Sequence, residues 1–159
     1  MKILVSFESR LRHDSTENYL INGLRHLGHS VTHVLPENLP SITGGYDLYL
    51  NVDSGVYFPW NNNLHPSHYF CSDTHIIDFR LKLEAESDFD SMSVTHSAGL
   101  NYPWKCKNVS WIPVGADPQV HFVGLKEKIY DGCFIGNFHN NLAGPRVEML
   151  DTFFKAAPN

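Results

Sequence analysis

Two short segments place a carboxylate beside an imidazole, the pair of side chains on which general acid–base chemistry commonly relies. One contains His13 and Asp14, and the other is Asp73-Thr74-His75. A histidine with a pKa of about 6.5 can accept a proton at neutral pH, and a neighbouring carboxylate can orient its ring. We therefore interpret His13, Asp73 and His75 as candidate general bases. Asp14 and Thr74 are candidate contacts to a hydroxyl-bearing ligand.

Both segments also have a purely structural interpretation. Asp14 or Ser15 can cap the first predicted helix and Asp73 the second, because Asp and Ser side chains are preferred N-caps. His13 would then be a solvated loop residue. His96 follows a predicted strand and could line the same cleft as a ligand contact, or it could be a hydrogen-bonded structural histidine. The sequence leaves these alternatives open, and one Asp can both cap a helix and face a ligand.

The chain has 10 histidines among its 159 residues, but their spacing does not indicate a metal site. The sequence contains no HxH, HExxH or paired Cys/His arrangement of the kind that zinc sites use. Cys71, Cys106 and Cys133 are widely spaced and odd in number, which indicates reduced, mostly buried thiols rather than a disulfide framework. We therefore expect no bound metal.

The candidate residues lie where predicted strands end. Runs of β-forming residues predict strands over residues 2–7, 30–35, 46–52, 67–72, 89–95 and 108–112. Helical spacing predicts helices over 16–27 and 76–86, and a short helix or loop over 97–105. This alternation is typical of an open, doubly wound, mainly parallel α/β sheet of Rossmann-like type. Ligands of such sheets bind at the carboxyl ends of the strands.

Composition argues against several classes of function. With 12 basic residues and a net charge of −5, the chain lacks the clustered Lys and Arg that nucleic-acid binding requires. No stretch approaches the roughly 20 apolar residues of a membrane span, and the first residues are typical of a strand rather than a signal peptide. We expect a globular, cytoplasmic protein without a nucleic-acid partner or a membrane span.

Four segments resemble the GT-B glycosyltransferases, in particular the spore-maturation (CgeB-like) branch of the group 1 enzymes. The segments are residues 24–31, Asp73-Thr74-His75 with Arg80, residues 111–122, and residues 130–137 with Arg146. The resemblance implies two facing Rossmann-like domains. Residues 1–122 would form the acceptor-side domain, and residues 123–159 the hinge and the first strand and helix of an incomplete donor-binding domain.

The same resemblance implies transfer of a sugar from a nucleotide-sugar to an acceptor hydroxyl, with no obligatory metal and no other cofactor. Gly136, Asn137 and Arg146 would contact the donor diphosphate, since a helix N-terminus and a guanidinium both favour phosphate oxygens. Loop aromatics could stack on sugar faces or belong to the core: Tyr57, Phe58, Trp60, Tyr102 and Trp104. The 159-residue chain would be inactive without its missing carboxyl-terminal domain.

An alternative interpretation is a non-catalytic Rossmann-like module that binds a sugar or another protein, and that forms a homodimer through residues 125–159. A response-regulator-like or other flavodoxin-type domain is disfavoured. The end of the first predicted strand lacks the paired acidic residues that a phosphoacceptor pocket requires.

Overall fold

The computed structural model describes residues 1–7, 15–53, 55, 57–72, 78–113 and 115, together with the single positions 148, 152 and 155. The chain divides into two compact units, Met1–Phe122 and Val123–Asn159. The elements below all belong to the first unit. The acceptor-side and donor-side roles assigned to residues 1–122 and 123–159 stay predictions.

Six parallel strands form one sheet in the first unit. They are β1 (Lys2–Ser6), β2 (Ser30–Val34), β3 (Leu48–Val52), β4 (Ser67–Cys71), β5 (Ser91–Val94) and β6 (Val109–Trp111). Helix α1 (Thr16–His26) lies between β1 and β2 in the chain, and helix α2 (Asp78–Glu86) between β4 and β5; two short 3₁₀ helices span Pro36–Ser41 and Ser97–Asn101. The predicted α/β, Rossmann-like sheet is confirmed.

The two faces of the sheet are covered by different elements, as a doubly wound architecture requires. Alternate residues of a strand point to opposite faces, so Ile3 and Val5 lie in one core while Leu4 lies in the other. The first core includes Ile21 of α1. The second core includes Leu83 of α2 and these buried residues of the sheet and its loops: Tyr49, Trp60, Leu64, Tyr69, Phe89, Met92, Val94 and Trp104.

Helix α1 begins and ends with local signals that its sequence contains. Ser15 is the N-cap, and its side chain accepts a hydrogen bond from the backbone N–H of Asn18 at 3.3 Å. Of the two predicted caps, Asp14 and Ser15, the serine therefore takes this role. Gly28 follows the helix with φ at 84°, a conformation that glycine adopts without a steric cost.

The spatial order of the strands is β2-β1-β3-β4-β5-β6, so the chain reverses its direction across the sheet after β2. From β1 it moves outward to β2, and then returns to the other side of β1 as β3 before it continues toward β6. In open α/β sheets the ligand-binding crevice lies outside the carboxyl ends of the strands at such a reversal. The candidate site is therefore expected near the ends of β1 and β3.

Candidate functional site

Of the predicted site residues, His96 is the one that lies within the described part of the chain. The others fall outside the described residues, so their roles stay predictions: His13, Asp14, Asp73, Thr74, His75, Gly136, Asn137 and Arg146. Two of the predicted segments nevertheless start at a defined place. Residues 8–14 follow Phe7 at the end of β1, and residues 73–77 follow Ser72 at the end of β4.

A buried ion pair joins the carboxyl edge of the sheet to helix α2. Asp53 comes directly after β3, and its Oδ2 accepts a hydrogen bond from Nε of Arg80. Each of the two side chains is 1% exposed. Oδ1 of Asp53 accepts a second hydrogen bond from the backbone N–H of Gly55 at 3.1 Å. The pair compensates two buried charges, either of which would be costly if it were left alone.

Asp53 also contacts the residue that precedes the predicted catalytic segment. The hydroxyl of Ser72 donates to Oδ2 of Asp53 at 3.4 Å. Ser72 comes immediately before Asp73, and Arg80 follows His75 within the same stretch of chain. One carboxylate therefore holds both ends of the segment that carries Asp73, Thr74 and His75.

His96 lies at the carboxyl edge after β5, where it is the N-cap of the 3₁₀ helix Ser97–Asn101. Its Nδ1 accepts a hydrogen bond from the backbone N–H of Ala98 at 3.2 Å, which places the proton of the neutral ring on Nε2. The side chain is exposed. His96 therefore has the structural role that was one of the two alternatives, and its contact with a ligand stays a prediction.

Further hydrogen bonds connect the ends of the last three strands. The hydroxyl of Thr95 donates to the backbone carbonyl of Ser72, and the indole N–H of Trp111 donates to the carbonyl of Thr95 at 3.2 Å. Thr95, which precedes His96, is thus bonded to Ser72, which precedes Asp73 in the chain.

An open depression lies beside Asp53 on the face of the sheet that α2 covers. It is lined by Pro36, Leu39, Asn51, Val52, Asp53, Phe58 and Leu83. Its interior has room for about one water molecule. Pockets that enclose a drug-sized ligand have volumes of about 300–1,000 Å³. The depression alone is therefore too small to enclose a nucleotide-sugar.

The aromatic residues proposed for sugar stacking are mainly part of the core. Trp60 and Trp104 are buried, with 7% and 6% exposure, and Tyr57 and Tyr102 pack against the same cluster. The indole N–H of Trp104 donates to the carbonyl of Gly99 at 2.7 Å. Phe58 is half-buried and lines the depression beside Asp53.

Within the described ranges, no group of three His, Cys, Asp or Glu side chains is placed to hold a metal ion. The helices of the same ranges are all too short or too polar to cross a membrane. Cys71 and Cys106 are buried, as the sequence predicted, and Cys133 lies outside the described residues.

Sequence reasoning missed Asp53 and assigned no role to Arg80 beyond the resemblance. Two signals were available. Asp53 directly follows a predicted buried strand, and Arg80 and Glu84 are charged residues four positions apart on one face of a predicted helix. Both side chains are buried, at 1% and 2% exposure.

Comparisons of the chain with protein-family models, with curated proteins and with solved structures find no match. The class that the fold defines is an open, doubly wound α/β domain with its polar edge at the carboxyl ends of the strands.

Proposed function

We propose that the first unit is the acceptor-side domain of a nucleotide-sugar-dependent glycosyltransferase. The observation that supports this most directly is the position of the candidate segments along the sheet. Residues 8–14 follow the end of β1 and residues 73–77 follow the end of β4, which is the edge where open α/β sheets bind ligands. The resemblance of four segments to GT-B enzymes supplies the class of substrate.

In this proposal a base from the carboxyl edge removes the proton of the acceptor hydroxyl. His13, Asp73 and His75 are the candidates for that base. The acceptor oxygen then attacks the anomeric carbon of the donor sugar, and the bond from that carbon to the nucleotide diphosphate breaks. A positioned general base typically contributes about 10²–10⁴-fold to the rate.

The remaining predicted residues bind rather than react. Asp14, Thr74 and His96 would hold acceptor hydroxyls near the base. Arg146, with the backbone of Gly136 and Asn137, would neutralise the departing diphosphate, so the reaction needs no obligatory metal.

Asp53 and Arg80 are positioning residues in this scheme. Their side chains are buried, and they fix the two ends of the segment 73–79. Precise placement of a base matters because catalysis depends steeply on the geometry of the reacting groups.

The proposal is tested in a protein that joins residues 1–122 to a complete donor-binding domain. Transfer from UDP-glucose, UDP-galactose and GDP-mannose to a panel of hydroxyl acceptors is assayed, with mass spectrometry of the products. We expect Asp73→Asn or His75→Gln to lower the transfer rate about 10²–10⁴-fold. His65→Gln is the matched control because His65 also pairs with an aspartate, Asp90, but at the amino end of the sheet. That variant should transfer at the unchanged rate.

Equal losses in His65→Gln and His75→Gln would contradict the proposed base. Saturable binding of a sugar without transfer would favour the non-catalytic module instead. If no nucleotide-sugar and no sugar perturbs the NMR signals of residues 72 and 96, the proposal is wrong.

A further inference from the structure

Three polar side chains lie side by side across the middle of the sheet. The strand register pairs Ser6 of β1 with Asn51 of β3, and Asn51 in turn with Tyr69 of β4. Ser6 and Tyr69 are 0% exposed and Asn51 is 8% exposed. Leu4 and Tyr49, two positions earlier in their strands, belong to the core under α2, so this polar row faces α2 as well.

Two side chains of this polar row (Ser6, Asn51 and Tyr69) have hydroxyl groups that make no hydrogen bond to the described residues. In the described part of the chain, the hydroxyls of Ser6 and Tyr69 are buried without a hydrogen-bond partner. Buried polar groups in folded proteins nearly always have a partner, either in the protein or in an ordered water molecule. In the strand register Asn51 lies between Ser6 and Tyr69, and its amide can both donate and accept.

A small group from outside can reach this row at Asn51, the member of the row that lines the depression beside Asp53. The interior of the depression has room for about one water molecule. Burial raises the pKa of Tyr69 well above its ordinary value of 10.0, and the nearby Cys71 and Asp53 act in the same direction. The tyrosine is therefore a protonated donor at neutral pH.

The electrostatic surroundings select an uncharged group. The charge of Asp53 is already compensated by Arg80, and the other walls of the depression are largely apolar, including Pro36, Leu39 and Phe58. A charged group without a partner would be strongly disfavoured there.

We propose that the polar row binds one uncharged hydroxyl group at the floor of this depression. A hydroxyl both donates and accepts, so it can bond to the Asn51 amide and to the hydroxyl beside it. The group comes either from a water molecule or from an alcohol-bearing ligand. The site holds this group whether or not the chain transfers a sugar.

The first test asks whether the fold becomes less or more stable when one hydroxyl of the polar row is removed. If Ser6 has a bound partner, Ser6→Ala should raise the equilibrium constant of unfolding about fivefold in urea titrations, as the loss of a typical hydrogen bond does. Ser93→Ala is the matched control, because Ser93 is equally buried and its hydroxyl bonds to Nε2 of His68 at 3.0 Å.

Tyr69→Phe repeats the test on the other side of Asn51. Its control is Tyr49→Phe, since Tyr49 is also buried and its hydroxyl accepts the backbone N–H of Tyr46 at 3.4 Å. Both variants should be destabilised to a similar extent. The proposal is overturned if Ser6→Ala and Tyr69→Phe are as stable as the parent, or more stable, while the two controls are weakened.

A titration with ethylene glycol and with methyl glucoside distinguishes the two sources of the hydroxyl. A saturable NMR shift of the Asn51 side-chain amide, with affinity reduced about fivefold by Ser6→Ala, identifies an alcohol-bearing ligand. Destabilised variants without a saturable shift identify a bound water molecule. If neither the destabilisation nor the shift is observed, the row binds no hydroxyl group.

Discussion

At each end of the parallel sheet an aspartate pairs with a basic side chain, but one pair is buried and the other is exposed to solvent. At the carboxyl end, Asp53 and Arg80 are each 1% exposed. At the amino end, Nδ1 of His65 lies 2.7 Å from Oδ2 of Asp90, and the two side chains are 42% and 50% exposed. The buried pair has lost its hydration and depends on the partner, whereas the exposed pair remains hydrated.

The two pairs also differ in what they connect. Asp53 links the end of β3 to α2 and to Ser72, across the face of the sheet. Asp90 instead accepts hydrogen bonds from the backbone N–H and the hydroxyl of Ser67, at 2.7 and 3.1 Å, where β4 begins. Both ends of the sheet therefore have an ion pair. The carboxyl end, where the candidate site lies, differs in that its pair is buried.

The largest expected effect comes from leaving one buried charge without its partner. Arg80→Met should lower the free energy of unfolding by about 3–5 kcal/mol, because the Asp53 carboxylate stays buried and loses the guanidinium that pairs with it. The double variant Asp53→Asn/Arg80→Met should recover most of that loss. Urea titrations measure both variants.

The control for this prediction is Lys82→Met on the same helix. Lys82 and Glu86 are 4.0 Å apart and 60% and 51% exposed, so this change should cost less than about 0.5 kcal/mol. Similar losses in Arg80→Met and Lys82→Met would remove the contrast between buried and exposed pairs.

A second, intermediate effect tests whether the burial of a carboxylate, rather than its position in the sheet, sets the stability cost of removing its charge. Glu84 is 2% exposed, and its carboxylate accepts the backbone N–H groups of Lys105 and Cys106, just before β6. Glu84→Gln removes the charge and turns an N–H donor toward one of these groups, which should cost about 2 kcal/mol. The exposed Glu86→Gln is the matched control in the same unfolding assay. Equal stability of the two variants would show that burial alone does not set the cost.

The smallest expected effect is a pH dependence at the exposed pair. The hydrogen bond to Asp90 is the main cause that raises the pKa of His65 above 6.5, and the same bond lowers the pKa of Asp90 below 3.8. The raised pKa of His65 stabilises the fold below about pH 6.5 and ceases to do so as the pH rises through the folded-state value. The lowered pKa of Asp90 stabilises it above about pH 3.8, and this is lost as the pH falls through the folded-state value.

Stability should therefore decrease as the pH rises above about 6.5, by less than about 1 kcal/mol because both groups are largely solvated. Urea midpoints from about pH 6.5 upward measure the slope. His65→Gln should flatten it, and His26→Gln, at the end of α1, should leave it in place. A slope that survives in His65→Gln would assign the pH dependence to another group.

Much of the fold could be predicted because its signals are local. The apolar run of β1, the serine cap of α1 and the glycine after it each define their element within a few residues. The 3₁₀ helix Pro36–Ser41 was missed, since it is short and contains Pro40, which signals a break in a regular helix.

The site was less accessible to prediction because its contacts join distant parts of the chain. Arg80 sits between apolar neighbours and Glu84 follows Leu83, and charged residues on a helix normally face solvent. Arg80 points inward because it pairs with the carboxylate that follows β3, and Glu84 because it accepts backbone N–H groups that precede β6. The helical spacing of the sequence reveals neither of these distant partners. The catalytic roles of Asp73 and His75 stay predictions.

The double contact of Asp53, with Ser72 and with Arg80, closes the intervening chain into a ring. The entropic cost of closing a flexible ring grows only slowly with the number of residues in it, by about 0.6 kcal/mol for each doubling. The cost of bringing Ser72 and Arg80 together on Asp53 therefore depends only weakly on the number of residues that separate them in the chain. Both anchor points can be kept in variants of different length.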